Sequence, residues 1–257
     1  MVETQVKTAD KPRTHRSSVE RVHRLLSSFD YEHNRLSLSD LSRRADLPLS
    51  TTHRMVTELL ELGMLERDQH HLLSIGVELW KLGLLTPKTY GIQRVALPFM
   101  QDLYATTGLP IHLGIPEGDK VTVVESLRPR GGGRERPRIG QRDPLHSCAV
   151  GTALLAFSDT NVQERYLARL ETLDPTAPAP EAVRRDLAQT RANGYAVNTI
   201  KTAPNIAVGA PVLDRAEQPV GAVSIVILEG TATPPYGHLI RSTARAVQRT
   251  AWEQGIA

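Results

Sequence analysis

Ser50, Thr51 and Arg54 are the residues whose types and spacing carry the clearest chemistry. On a helix opening near Leu49 they share the face opposite Met55, Val56 and Leu59. Hydroxyls in a first helical turn reach phosphate or base edges, and the helix N-terminus itself favours phosphate. Arg54, further along, can take guanine through two parallel hydrogen bonds. The plain alternative is a three-helix bundle whose polar face is only solvated. The order of a capped helix, a short turn and a following hairpin favours duplex DNA as the partner. His53, Arg67 and His70 complete the expected DNA-contacting set. The turn Asp68-Gln69-His70-His71 lacks glycine, and its two histidines could hydrogen-bond phosphate or stand as solvated turn residues. No cysteine pair or HxxxH spacing lies nearby, so no metal site is expected there.

That face needs supporting helices, and the pattern provides them. Val19, Val22, Leu25, Leu26 and Phe29 form one apolar stripe, with Ser17 and Glu20 at capping-box spacing. Ser37 and Asp40 repeat that spacing before a second helix with Leu38, Leu41 and Ala45 inward. Asp46-Leu47-Pro48 is a turn, and Pro48 or Ser50 opens a third helix running to about Leu62. Gly63 stands where a left-handed cap belongs. Two short strand-like runs, Met64 to Arg67 and Leu72 to Ile75, complete a winged helix-turn-helix pattern.

The expected domains follow. Residues 1–16 are a flexible basic arm, 17–76 the winged helix-turn-helix, 77–88 a linker helix and 89–257 a second domain. A long helix from about Thr89 stops at Gly108. Ile111 to Ile115 and Val121 to Glu125 read as strands around a Glu117-Gly118-Asp119 turn. Arg128 to Arg142 reads as a loop with Gly131-Gly132-Gly133 and six arginines. Small-residue and polar helices follow at 150–157, 161–170 and 181–193, and Gly194 stops the last. Ile206 to Leu213 and Val220 to Leu228 form a hairpin, and Tyr236 to Glu253 is a closing helix. The fold class is α+β, in two domains, with a central antiparallel sheet in the second.

Composition narrows the function classes. The 257 residues are 40% hydrophobic and 23% charged, ordinary for a globular chain able to bury its own core. No apolar run is long enough to span a membrane, and residues 1–18 lack a signal-peptide core. One cysteine, Cys148, allows no internal disulfide and fits a reducing cytoplasm. Aromatics at 4% disfavour single-strand binding by base stacking. A net charge of +3 permits a nucleic-acid partner.

Five segments together carry a resemblance. Residues 36–54, from Leu36-Ser37-Leu38-Ser39-Asp40 to Thr52-His53-Arg54, resemble the helix-turn-helix of the IclR family of bacterial transcriptional regulators, as does Leu59-Leu60-Glu61-Leu62-Gly63-Met64-Leu65-Glu66-Arg67. Pro144-Leu145-His146-Ser147-Cys148-Ala149-Val150-Gly151-Thr152-Ala153-Leu154-Leu155-Ala156 is similar to the family's PLHATALGKALLA segment. Gly194 to Val197 and Ala210 to Leu213 match two later signatures, and the resemblance spans about Ser18 to Trp252. It implies a GAF-like effector-binding second domain, an operator of double-stranded DNA, a small-molecule effector, and a homodimer or dimer of dimers. Carried over residue by residue, the effector site falls at His146, Ala149, Val150, Asn198, Asn205, Ala207, Ser224 and Val226, with no cofactor and no catalytic residue. The family often has lysine at Thr152, acids around Asn198 to Lys201, cysteine at Ala207 and serine at Val226. The more apolar set here implies a bulkier carboxylic acid, with an aromatic body, controlling a catabolic operon.

His146-Ser147-Cys148 invites a nucleophile reading, but a triad is a spatial arrangement that adjacency does not supply. Gly131-Gly132-Gly133 lacks the GKS/T or GxGxxG context of a phosphate loop. The rival reading is a metabolite-binding enzyme with an appended DNA-binding-like domain.

Overall fold

The structure, a computed structural model, describes residues 17–30, 32–129, 139–200 and 203–256. The expected basic arm, most of the arginine-glycine loop and Lys201 lie outside the described residues. The chain divides into two compact units, Met1–Leu85 and Thr86–Ala257.

The first unit contains α1 (Ser18–Leu26), α2 (Leu38–Ala45), α3 (Leu49–Glu61), β1 (Leu65–Arg67), β2 (Leu73–Ile75) and α4 (Val77–Leu84). Both capping serines act as the spacing predicts. Ser17 Oγ accepts from the Glu20 amide and Ser37 Oγ from the Asp40 amide, each at 3.1 Å. Leu25, Leu41, Met55, Val56, Leu59, Leu65 and Leu73 form the core, which is why α3 turns its other face outward. The stripe of α1 is shorter than its spacing predicts. Leu25 is its buried residue, Val19 is 78% exposed, and Phe29 lies beyond the helix end. Val22, Leu25, Leu26 and Phe29 pack against this small core, and Val19 at the start of the helix does not reach it.

β1 and β2 pair antiparallel, and Leu36 bridges to Leu73 beside them. Gly63 takes φ +67°, as a left-handed cap requires. The start of α4 is tied back to this hairpin. The Gly76 amide donates to Met64 O at 2.8 Å, the Glu78 amide to Gly63 O at 3.3 Å, and the Val77 amide to Glu66 Oε1 at 3.1 Å. A Cβ on Gly76 would collide with the Gly63 carbonyl, so this approach needs glycine. No residue of α4 is fully buried, and Val77, Trp80 and Leu82 are exposed.

The second unit runs α5 (Pro87–Thr107), β3 (Ile111–Glu117), β4 (Lys120–Leu127), β5 (Arg142–Pro144), α6 (Ala149–Phe157), α7 (Thr160–Ala168), α8 (Leu170–Leu173), α9 (Pro180–Asn193), β6 (Ala196–Ile200), β7 (Asn205–Leu213), β8 (Pro219–Leu228) and α10 (Thr233–Glu253). Its strands lie in the order β5-β4-β3-β8-β7-β6, every neighbouring pair antiparallel. Side chains alternate across the sheet, so each strand feeds two cores. Leu113, Val208, Val223 and Ile225 point to the face covered by α5 and α10. Ala207 and Ala222 point to the face covered by α6 to α9. The two edge strands, β5 and β6, are not among the strands that alternation predicts. β5 is three residues long, and β6 carries Asn198 and Thr199 where an apolar repeat would have marked it.

Candidate functional site

Two surfaces carry the chemistry, one in each unit. On α3, the N-cap is Pro48, which makes no side-chain cap, so the first-turn amides are left for an outside acceptor. Ser50, His53 and Arg54 are exposed around that end and Thr51 is half-buried, while Thr52 is buried and donates its hydroxyl to Pro48 O at 3.1 Å. Arg54 donates to Glu58 Oε1 at 2.8 Å, an i,i+4 pair with both side chains more than half exposed. Such a pair is worth only about 0.3–0.5 kcal/mol, so phosphate or guanine can displace the glutamate.

The wing does without glycine because Asp68 builds the turn. Its Oδ1 accepts from the His70 and Leu72 amides at 2.8 and 3.0 Å, and its Oδ2 receives Arg35 at 3.3 Å. Those amides, Leu72's foremost, hold the Asp68 carboxyl below the usual range. His71 takes the left-handed position, φ +60°. His70 and Arg67 stand exposed on the hairpin, and the His70 ring lies 3.3 Å from Gln69 Nε2.

In the second unit the expected site residues converge on the sheet face under α6. Asn198, Ala207 and Val226 are directly paired across β6, β7 and β8. Asn205 precedes Ala207 on the same face of β7. Ser224, two residues before Val226, stands opposite Gly209 and is 2% exposed. The N-terminus of α6 crosses over this patch. A Cβ on Gly209 would lie 2.7 Å from Ala149 O, and one on Gly114 would lie 2.7 Å from Val150 Cγ1. Those two glycines let a helix lie directly on a sheet.

His146 has a different position from the one its motif implies. Its buried ring turns into the helical layer, with Nδ1 2.7 Å from Tyr166 Oη and Nε2 3.3 Å from Asp174 Oδ2. What it offers the sheet face is its carbonyl, which accepts from Asn198 Nδ2 and Thr152 Oγ1, both at 3.4 Å. That holds the Asn198 amide in place, and its Oδ1 is buried without a protein partner.

His112 and Ser126, which motif reading missed, continue the polar row. Ser224, His112 and Ser126 are directly paired across β8, β3 and β4, and His112 Nδ1 lies 3.0 Å from Ser126 Oγ. The signal was present in Ile111-His112-Leu113, a histidine alternating with two buried aliphatics on an interior strand. The whole patch is therefore apolar at Ala207 and Val226, with hydroxyl, imidazole and amide groups around it.

Cys148, two residues after His146, serves as a helix cap. Burial pushes the Cys148 thiol up to about 11, so it stays protonated at neutral pH. Its Sγ caps α6 by accepting from the Gly151 amide at 3.4 Å, and Ser147 Oγ donates to Pro144 O at 2.8 Å. His146, Ser147 and Cys148 thus point to three different partners.

The chain matches two family models, IclR helix-turn-helix domain over residues 18–69 and Bacterial transcriptional regulator IclR C-terminal over residues 86–249. The glycerol operon regulatory protein of Streptomyces coelicolor is 32% identical over 241 residues, covering 90% of this chain and 95% of that one. The HTH-type transcriptional regulator BhcR of Paracoccus denitrificans is 31% identical over 195 residues, covering 74% and 70%. Among solved structures, an IclR homolog from Microbacterium hydrocarbonoxydans complexed with 4-hydroxybenzoate matches at TM-score 0.81 and 29% identity, covering 91% of this chain and 98% of that one. IclR of Thermotoga maritima matches at TM-score 0.73 and 23% identity, with the same coverage, and shows the shared fold.

Proposed function

We propose that this chain, which belongs to the IclR family of bacterial transcriptional regulators, controls a catabolic operon in response to a carboxylic acid with an aromatic body. The observation that carries the reading is the patch under α6, where Ala207 and Val226 give an apolar floor and Ser224, Asn198 and His112 a polar margin. An aromatic ring suits such a floor, and a carboxylate suits the polar margin. The Microbacterium relative, complexed with 4-hydroxybenzoate, supports the same chemical class.

In this reading each α3 enters a major groove. Ser50, Thr51 and the α3 amides hold phosphate, Arg54 and His53 face the bases, and Arg67 and His70 rest the wing on the backbone. A homodimer, or a dimer of dimers, reads a pseudo-palindrome through two such helices. The exposed Val77, Trp80 and Leu82 of α4 make that helix a contact between copies. Effector acts by favouring one geometry of the assembly over another, which changes operator affinity by the difference in its own affinity for the two. No described helix is long and apolar enough to cross a membrane, and the reading puts the protein in the cytoplasm, beside its operator.

A thermal-shift screen of benzoates against short aliphatic 2-oxo acids tests the ligand class. A true effector at 100 times its dissociation constant adds about 2.7 kcal/mol, a shift of several degrees. Ala207→Trp should abolish that shift and the effector response in gel-shift titrations while leaving operator affinity intact. Undiminished effector binding by Ala207→Trp would show that the floor has been misplaced.

A further inference from the structure

We infer a second ligand site on the outer face of α10, one that takes a small molecule carrying two phosphate groups. His238, Arg241, Arg245 and Arg249 recur along that helix at spacings of three and four, so they lie on one side of it. The helix holds one acid, Glu253, at its last residue, and that carboxylate makes no ion pair with Arg249. Two hollows flank the row. One, of about 280 Å³, is lined by His238, Arg241, Ser242, Arg245 and Arg249. The other, of about 360 Å³, is bounded by Arg191, Asn193, Arg241, Arg245 and Gln248 over a floor that includes Phe157. No aspartate or glutamate lines either hollow.

The arginines fall into two kinds. Arg191 and Arg241 are anchored: Arg191 donates to Ala156 O and Ser158 O at the end of α6, and Arg241 donates to Asn193 O at 2.9 Å at the end of α9. Gly194 leaves the space that this anchoring needs, since a Cβ there would lie 2.9 Å from Arg241 Nε. Arg245 and Arg249 have no hydrogen-bond or ion-pair partner in the described structure. A guanidinium has five donors, so the anchored pair keeps some of them for a ligand, and the unpartnered pair keeps all.

Arg241 and Arg245 border both hollows, so an anion in each would share them. Two phosphate groups joined through one oxygen, as in a diphosphate, can lie across that shared pair, one group towards each hollow. Phosphate suits it better than carboxylate, because it carries nearly twice the charge at neutral pH and offers three oxygens to planar forks. α10 covers the opposite face of the sheet from the patch under α6, the second hollow reaches round to the C-terminal ends of α6 and α9, and none of the patch residues lines either hollow, so the site is independent of the effector reading.

Calorimetric titration of inorganic pyrophosphate into the full chain at low ionic strength tests it, beside Arg245→Gln/Arg249→Gln and Ala207→Trp. The parent should bind one pyrophosphate per chain at least tenfold more tightly than the double variant, and more tightly than inorganic phosphate. Ala207→Trp should bind as the parent does, which separates this site from the effector patch. Equal affinity in parent and double variant, or no preference over inorganic phosphate, would overturn the inference. So would a double variant that keeps pyrophosphate but loses affinity for non-operator duplex DNA, or one that changes oligomeric state instead. Those outcomes give the row to nucleic acid or to another copy of the chain.

Discussion

The N-termini of α3 and α6 are built in opposite ways. α3 opens on Pro48 into solvent, with no side-chain cap and with polar residues around it. α6 opens on Cys148 beneath a protein layer, capped by that thiol, with Ala149 lying against Gly209. The first leaves its first-turn amides uncapped by any side chain. The second has one of its first-turn amides capped by its own Cys148 thiol and lies directly on the sheet. A surface that recognises a polymer can be made from one helix face, whereas a pocket needs several strands brought into register. The two units should therefore fail in different ways.

Leu41→Ala should produce the largest effect. Leu41 is fully buried in the small core behind α3, and a leucine truncation of this kind costs about 2–5 kcal/mol. The first unit should unfold early and operator binding vanish, while pyrophosphate and effector binding persist. A single cooperative transition that carries both activities away together would break the contrast between the units. Next comes Gly209→Val, whose new side chain meets the backbone of Ala149. Forcing that contact costs about 1–3 kcal/mol or more. Chemical denaturation should show the second unit weakened and effector binding lost, with operator binding retained.

Arg54→Ala sharpens the contrast from the other side. Losing a base contact costs on the order of 1–3 kcal/mol of specific affinity. Folding stability should change little, because Arg54's partner among the described residues is the exposed Glu58. Unaltered operator affinity in a gel-shift titration would remove Arg54 from the reading surface. The smallest expected effect is a pH limb. The Cys148 thiol titrates near 9.0 in an unfolded chain and near 11 when buried, and burial lifts the Tyr166 hydroxyl from 10.0 to about 12. Both folded groups keep their protons longer than the unfolded ones. Their contribution is complete below about pH 9 and declines as pH rises towards 11 and 12. The second unit should lose thermal stability over that window, and Cys148→Ala should flatten its lower part. Asp40 and Asp68 in the first unit, lowered chiefly by the Ser37 hydroxyl and the Leu72 amide respectively, act at the acid end instead.

The same contrast explains what could be read from sequence. Thr52, Met55, Val56 and Leu59 are buried as their spacing predicts, because a helix sorts its residues locally. Ser17, Ser37, Gly63, Gly108 and Gly194 mark helix ends for the same reason. Val19 escaped the rule because a periodic stripe gives direction and not the extent of the core it meets. The polar row was harder. His112, Ser126 and Ser224 become neighbours only through the pairing of β3 with β4 and β8, and register between distant strands leaves little local trace. The ring partners of His146 were hidden likewise, since Tyr166 and Asp174 come from α7 and from the segment after α8. Glycine at the wing was unnecessary once Asp68 had taken over the turn.

Three hydrogen bonds fasten the first turn of α4 to the wing hairpin, through Met64 O, Gly63 O and the Glu66 carboxylate. In mechanical terms α4 and the hairpin form a crank. Its arm is the helix from Val77 to Leu84, and its handle is the loop that carries His70. Gly76 lies so close to the Gly63 carbonyl that no side chain fits between them, and this close packing braces the joint. A rotation of α4 would therefore carry the hairpin residues Arg67 and His70 with it.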